Sequence, residues 1–226
     1  MLIIISSCSS GQTQIPVDFI ETALPKYGTD EWHTLNYSQN EFGVEIVNGQ
    51  LRVIKVNEKN KCEFKVPNGK LVGINRGEWG GKLNFIPFDT TQKKIEIKSG
   101  NIKYLFTFQD KIYFIEGLAH LSINEGALYE LDTTGYNFFC KKILDFEDAP
   151  EAYAIYNDKI LIASHENFYI VKDFKKELIF KEIFWNSLYP NSIAVIDEKN
   201  VFLGVRDGIV RLDLTKKDII FYKYAK

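Results

Sequence analysis

One pattern recurs five times along the chain and limits its fold more than any single motif. It is an apolar run, a polar or glycine-bearing turn, and a second apolar run closing on an acidic or polar residue. The copies are "GVEIVNGQLRVIKV", "KLVGINRGEWGGKLNFIPFD", "KIYFIEGLAHLSINEGALYELD", "KILIASHENFYIVKD" and "NVFLGVRDGIVRLDL". Their second runs begin at Leu51, Leu83, Leu128, Phe168 and Ile209, spaced by roughly 30 to 45 residues, the length of a four-stranded propeller blade. Further apolar runs stand before the hairpins ("IKYLFTF", "EAYAIY", "NSIAVI"), and alternating ones follow ("KKIEIK", "FFCKKIL", "ELIFKEIF", "DIIFYKY"). Inner strands covered on both faces read as continuous apolar runs, and half-exposed outer strands alternate with lysine and glutamate. The expectation is an all-β fold, a β-propeller of five blades with about four antiparallel strands each, closing near the N-terminus. A two-sheet sandwich or an irregular barrel also accommodates short repeated strands.

Composition agrees with this class. The large apolar residues are mostly Phe, Tyr, Ile and Val, with a single Met, which favours strands. A 45% hydrophobic and 26% charged content excludes a disordered chain, and 226 residues suffice to bury a real core. The formal net charge of -2 gives no general attraction to nucleic acid, which is not an expected partner.

The N-terminus, "MLIIISSCSSGQTQ", runs from an apolar patch through two serines to Cys8 and then into polar residues. Ile5-Ser6-Ser7-Cys8 resembles a bacterial lipobox, whose cysteine carries a diacylglycerol anchor. The resemblance implies a periplasm-facing lipoprotein of the bacterial cell envelope, held at the membrane only through lipid on Cys8. No cationic residue precedes the apolar run, which is shorter than the roughly 7 residues of a secretory core. An apolar N-terminal strand with an incidental cysteine remains the alternative. The corresponding division is residues 1–8 as a truncated signal, 9–30 as a polar tether and lead-in, and 31–226 as a single propeller domain.

In a propeller, the turn between second and third strands shares a face with the connections from blade to blade. That face would carry Arg76, Glu78 and Trp79 from "RGEWGG", Glu116 and His120 from "EGLAHL", His165 and Glu166 from "SHEN", and Arg206 and Asp207 from "VRDG". The connections "FEDAPEAY" and "LYPNS" add Asp148, Glu151, Tyr189 and Asn191. Arginines, carboxylates, imidazoles and an indole around a depression suit a docking surface. The same groups also suit structure: Arg76 pairing with Glu78, Trp79 wedged between blades, the histidines bonded to backbone.

Enzyme signatures are missing: there is no GxSxG, HExxH, GxxxxGK[ST], GxGxxG after a strand, or DxDxDG. His120 and His165 with Glu116 or Glu166 lack regular zinc spacing, and Cys62 and Cys140 stand apart without a CxxC, so no metal and no cofactor are expected. The hairpin "YFIEGLAHL" with "GALYELD" is similar to those of sugar-lactonase-like and glutaminyl-cyclotransferase-like propellers. The resemblance implies a propeller over residues 40–224, and no catalytic residue carries over. The expected function is a non-catalytic binding module that recognises a protein or small ligand at one rim, in a concrete version an immunity protein neutralising a toxin. The alternative is a propeller hydrolase, lactonase or cyclotransferase using the rim carboxylates and histidines.

Overall fold

The computed structural model describes residues 14–57, 60–134 and 137–226; Cys8 lies outside them. A strand β1 (Phe19–Thr22) and a short helix α1 (Asp30–Asn36) come first, followed by five antiparallel sheets in chain order. Sheet I is the hairpin β2 (Phe42–Val47) and β3 (Gln50–Lys55). Sheet II comprises β4 (Lys61–Val66), β5 (Gly69–Asn75), β6 (Gly81–Pro87) and β7 (Ile95–Ser99). Sheet III comprises β8 (Ile102–Phe108), β9 (Lys111–His120), β10 (Ile123–Thr134) and β11 (Asn137–Asp145). Sheet IV comprises β12 (Pro150–Tyr156), β13 (Lys159–Ser164), β14 (Phe168–Lys172) and β15 (Lys175–Phe180). Sheet V comprises β16 (Ser192–Asp197), β17 (Asn200–Val205), β18 (Gly208–Asp213) and β19 (Asp218–Tyr224), and β1 pairs with β19 as its fifth strand.

The local chemistry explains the hairpins. Asn48-Gly49, Gln109-Asp110 and Asp173 with Phe174 close two-residue turns, Asn48, Gln109, Asp110, Asp173 and Phe174 at φ between 48° and 61° and Gly49 at 76°. Positive φ at both turn positions matches the twist of the flanking strands. The middle strands β13 and β17 are buried at every position but the first, because both faces are covered. The outer strand β15 is exposed over its first four residues.

Four hydrophobic clusters fill the spaces between neighbouring sheets. Leu71 and Phe85 of sheet II meet Ile102 and Phe114 of sheet III. Phe106 and Tyr113 of sheet III meet Ile160 and Tyr169 of sheet IV. Phe168 of sheet IV meets Leu203 and Phe221 of sheet V, with Trp32, Leu35 and Trp185 packed beside them. Phe42 and Val44 of sheet I meet Phe19, Phe202 and Tyr222 of sheet V. Burying each such side chain contributes about 1.5–3 kcal/mol, so sheets II to V, and V with I, are joined face to face by apolar contact, whereas no buried cluster among the described residues joins I to II. By contrast, β4 alternates exposed and half-buried residues along its length, as a strand with one uncovered face does.

Three differences from the sequence reading concern strand roles. Sheet I has two strands rather than about four, and its hairpin is not the middle pair of a blade. Sheet V has five strands. The segment read as a polar tether supplies β1, whose Phe19 packs edge-on against Phe42 with ring centroids 5.0 Å apart, while Ile15 packs on the same cluster. Phe19, Ile20 and Thr22 favour a strand, and pairing with the last strand of the chain fixes it at the edge of sheet V.

Candidate functional site

The turns within sheets II to V are hydrogen-bonded to the connections that enter the next sheet, which gathers both along one edge. The Arg76 amide donates to Asn101 Oδ1 (3.2 Å), and Asn101 Nδ2 donates to Gly77 O (2.9 Å). The Ala149 amide donates to Asn124 Oδ1 (2.8 Å) and Asn186 Nδ2 to Glu166 Oε1 (3.0 Å). Asp207 accepts from Ser38 Oγ (2.7 Å) and Asn40 Nδ2 (3.1 Å) while its amide donates to Asn40 O. Asp207 is 7% exposed, so its carboxylate is committed to holding the lead-in of sheet I. Asp148 is committed in the same way, its Oδ2 accepting from Ser164 Oγ and Asn167 Nδ2 while Oδ1 is buried without a partner.

At the centre of this edge lies a cavity of about 560 Å³ whose wall draws on all five sheets. Sheet I contributes Val44 and Ile54, sheet II Asn75, sheet III Lys103 and Tyr104, sheet IV Glu151, and sheet V Ser192 with the adjoining Asn191 and Arg206. Lys103 Nζ and Glu151 Oε2 form an ion pair whose side chains are only 13% and 12% exposed. The Arg206 guanidinium bonds Glu41 Oε1 at 2.6 Å and Asn36 O at 2.6 Å, and lies 4.4 Å from the ring centroid of Tyr189. Tyr104 donates its hydroxyl to Glu151 O (2.7 Å). Burial, with the Glu151 charge second, pushes that phenol well above its ordinary range, so it stays a neutral donor. Asn191 Oδ1 accepts from Ser192 Oγ (2.9 Å), and Asn191 Nδ2 is buried with no partner.

A second group sits apart, on the turns of sheets II and III. Gly77 and Gly80, at φ 57° and 70°, form a 3-10 turn around Glu78 that presents Trp79 to solvent at 77% exposure. The Arg76 guanidinium reaches Trp79 O (3.4 Å) and Gly80 O (3.5 Å), and Glu78 Oε2 bonds His120 Nε2 at 2.8 Å. The neighbouring turn carries Leu121 at 94% exposure. Trp79 is therefore no wedge, and Glu78 pairs with His120 rather than with Arg76.

Of the residues expected at the site, Glu151, Tyr189, Asn191 and Arg206 meet in the cavity, and Arg76, Glu78, Trp79 and His120 meet at the rim. Glu116 is separate, paired with Lys98 beside a smaller cavity of about 390 Å³. The His165 amide donates to Ala149 O (2.8 Å), and Glu166 holds Asn186. Glu41, Asn75, Lys103 and Tyr104 were not anticipated. For Lys103 the signal was present, a lysine in the otherwise apolar inner strand "IKYLFTF". Cys62 and Cys140 are free thiols; burial raises both, Cys62 to about 11. Among the described residues, no group of three or more His, Cys, Asp or Glu is placed to hold a metal ion, and no helix is long and apolar enough to cross a membrane.

No family model matches the chain, and no curated protein does either. Among solved structures, the chain is similar to the N-terminal domain of Nup159 at 11% identity, covering 88% of this chain and 66% of that one, with a TM-score of 0.40. It is also similar to the computationally designed Ika8 protein at 10% identity, covering 80% and 73% of the two chains, with a TM-score of 0.34. Likenesses this distant bear on neither activity nor partners, and the architecture rests on the sheets themselves.

Proposed function

We propose that the protein is a non-catalytic binding module built as a five-bladed β-propeller, with a small ligand seated in its central cavity. The propeller reading is supported by five sheets in chain order, four inter-sheet clusters and one cavity drawing on every sheet. Sheet I is then a reduced blade, and β1 with β19 is the closing strand pair. The observation that carries the binding reading is the cavity: its volume falls within the roughly 300–1,000 Å³ of small-molecule sites, and half-buried polar side chains converge on it. A hydrolase reading has less support, because the rim and cavity carboxylates Glu78, Glu116 and Glu151 each face a cationic side chain or imidazole rather than a nucleophile.

Thermal-shift screening against a library of sugars, amino acids, nucleotides and fatty acids tests the cavity. At least one class should raise the melting temperature, and Ile54→Trp, which fills the cavity from a 41%-exposed wall position, should abolish that shift while leaving the unliganded protein folded. A shift that survives Ile54→Trp would remove the cavity from consideration.

A second reading, protein docking at the rim, is favoured by Trp79 and Leu121. Leu121 is held at φ 53°, a left-handed conformation costing a leucine roughly 1–2 kcal/mol, yet it is almost wholly in solvent. The neutralisation of a toxin at the envelope, with Cys8 as anchor, belongs to this reading.

A further inference from the structure

Sheet I stops short of its neighbours, and it does so beside the seam that no apolar cluster closes. Sheets II to IV have four strands each and sheet V five, whereas the outer edge of β3 has no partner strand among the described residues. The Asn48-Gly49 turn fixes which groups this edge offers. Val47 and Gln50 close a two-residue turn as a hydrogen-bonded pair, so by alternation Arg52 bonds across to Glu45 and Ile54 to Gly43. The Val56 amide, donating to Glu41 O at 2.9 Å, continues the same alternation. The N–H and C=O groups of Leu51, Val53 and Lys55 therefore point outward in a row, the template onto which another strand pairs. Lys55 does not bar its approach, because Nζ is drawn inward to Asn40 Oδ1 (3.0 Å) and over the rings of Phe42 and Tyr224.

The two sides of this edge differ in chemistry. Leu51 and Val53 turn towards the cluster shared with sheet V, and Val53 is only half-buried there. Arg52 and Ile54 turn the other way, towards the seam. In the ring order, sheet II lies across that seam, and Ile54 and Asn75 of the two sheets share the cavity wall. The face of sheet II turned away from sheet III carries Lys61, Lys65, Lys70 and Lys82 against Glu63 and Glu96, an excess of positive charge. These groups are open to solvent, Lys61 at 55% and Glu96 at 47% side-chain exposure. On the sheet I side, Arg52 and Glu45 cancel one another.

Resting on the ring order of the propeller reading, and not on a ligand in the cavity, we infer that sheet I docks an extended segment of another protein, alternating apolar and acidic residues, which adds to β3 as its next strand. The segment's backbone pairs with Leu51, Val53 and Lys55, its apolar side chains cover Val53, and its carboxylates face the lysines of sheet II.

Fluorescence anisotropy with a labelled peptide of alternating valine and glutamate, and one with lysine replacing glutamate, tests the charge. The glutamate peptide should bind about tenfold or more tightly, and Lys65→Glu combined with Lys70→Glu should narrow the difference. Amide hydrogen exchange tests the edge. In the free chain Leu51, Val53 and Lys55 should exchange faster than Arg52 and Ile54, and the glutamate peptide should slow the first three about tenfold or more while leaving the other two unchanged. Failure of both peptides to bind, or binding that leaves Leu51, Val53 and Lys55 unslowed, overturns the proposal. So does slow exchange of these three in the free chain, which would mean an edge already covered, by a second copy if the slowing grows with protein concentration. A lysine peptide that binds as tightly as the glutamate one overturns the acidic partner. None of these results alters the thermal-shift test of the cavity, and silence of that library leaves the β3 edge as it is.

Discussion

Trp79 and Trp185 illustrate how one residue type serves two ends. Trp185 is fully buried, packs in the cluster between sheets IV and V, and donates its indole N–H to Ser164 O at 3.0 Å. Trp79 is 77% exposed on a turn whose shape is set by Gly77 and Gly80 and whose neighbours are charged. Trp79→Ala should therefore change unfolding free energy by no more than about 0.5 kcal/mol, whereas Trp185→Ala should cost about 3–5 kcal/mol. Urea denaturation of the two variants checks the contrast. A large loss in Trp79→Ala would return the indole to the core and remove the support for a rim docking surface.

Glycines in the second strands set how closely neighbouring sheets approach. A Cβ on Gly204 in β17 would lie 2.0 Å from the carbonyl oxygen of Phe42 in β2. Those on Gly73 in β5 and Gly117 in β9 would lie 2.6 Å from Ile102 Cγ2 and 2.9 Å from Pro150 Cδ. These glycines are spaces for the first strand of the next sheet, whereas Gly77 and Gly80 allow the turn itself. The opposite edge of sheet V depends on β1, which covers the hydrogen-bonding edge of β19. Phe19 is 9% exposed and packs on Phe42 and Tyr224, so Phe19→Ala should destabilise the fold by about 3 kcal/mol, in the range for truncating a buried phenylalanine. A melting temperature unmoved by Phe19→Ala would restore this segment to the role of a tether.

Burial across the assembled sheets also sets the alkaline limit of stability. Burial is the main cause that pushes Cys62 up to about 11 and Tyr113 and Tyr169 up to about 12. Each group keeps its proton in the folded state to a higher pH than in the unfolded chain. Its contribution is therefore complete below the ordinary value and is lost as pH rises towards the folded one. The urea midpoint should hold to about pH 9, the ordinary thiol value, and then fall, first through Cys62 and Cys140 and above about pH 10 through the tyrosines as well. Between pH 9 and 10, before the tyrosines contribute, Cys62→Ala should fall less steeply than the parent protein. Equal slopes in that window would show that Cys62 loses its proton equally easily in both states.

Strand alternation, turn residues and the hairpin repeat depend on neighbours in the chain, and these were legible from sequence alone. They yield an all-β fold, the middle strand pairs of sheets II to V, and the edge along which "RGEWGG", "EGLAHL", "SHEN" and "VRDG" gather. The cavity was legible only in part, through Glu151, Tyr189, Asn191 and Arg206, because its chemistry comes from residues that meet only after the sheets pack. Lys103 and Glu151 are 48 residues apart, and Arg206 and Glu41 are 165 apart. The first hairpin looked like the other four because two strands and a turn have the same local pattern whether or not others flank them. Likewise β1 holds the strand-favouring Phe19, Ile20 and Thr22 in a run too short to stand out, and only its pairing with β19 places it in sheet V. Short-range periodicity thus determined most of the strands and where they turn, β1 excepted. Long-range packing decided which strands face the cavity, which charges are spent on one another there, and that Trp79 stands in solvent while Trp185 fills the core.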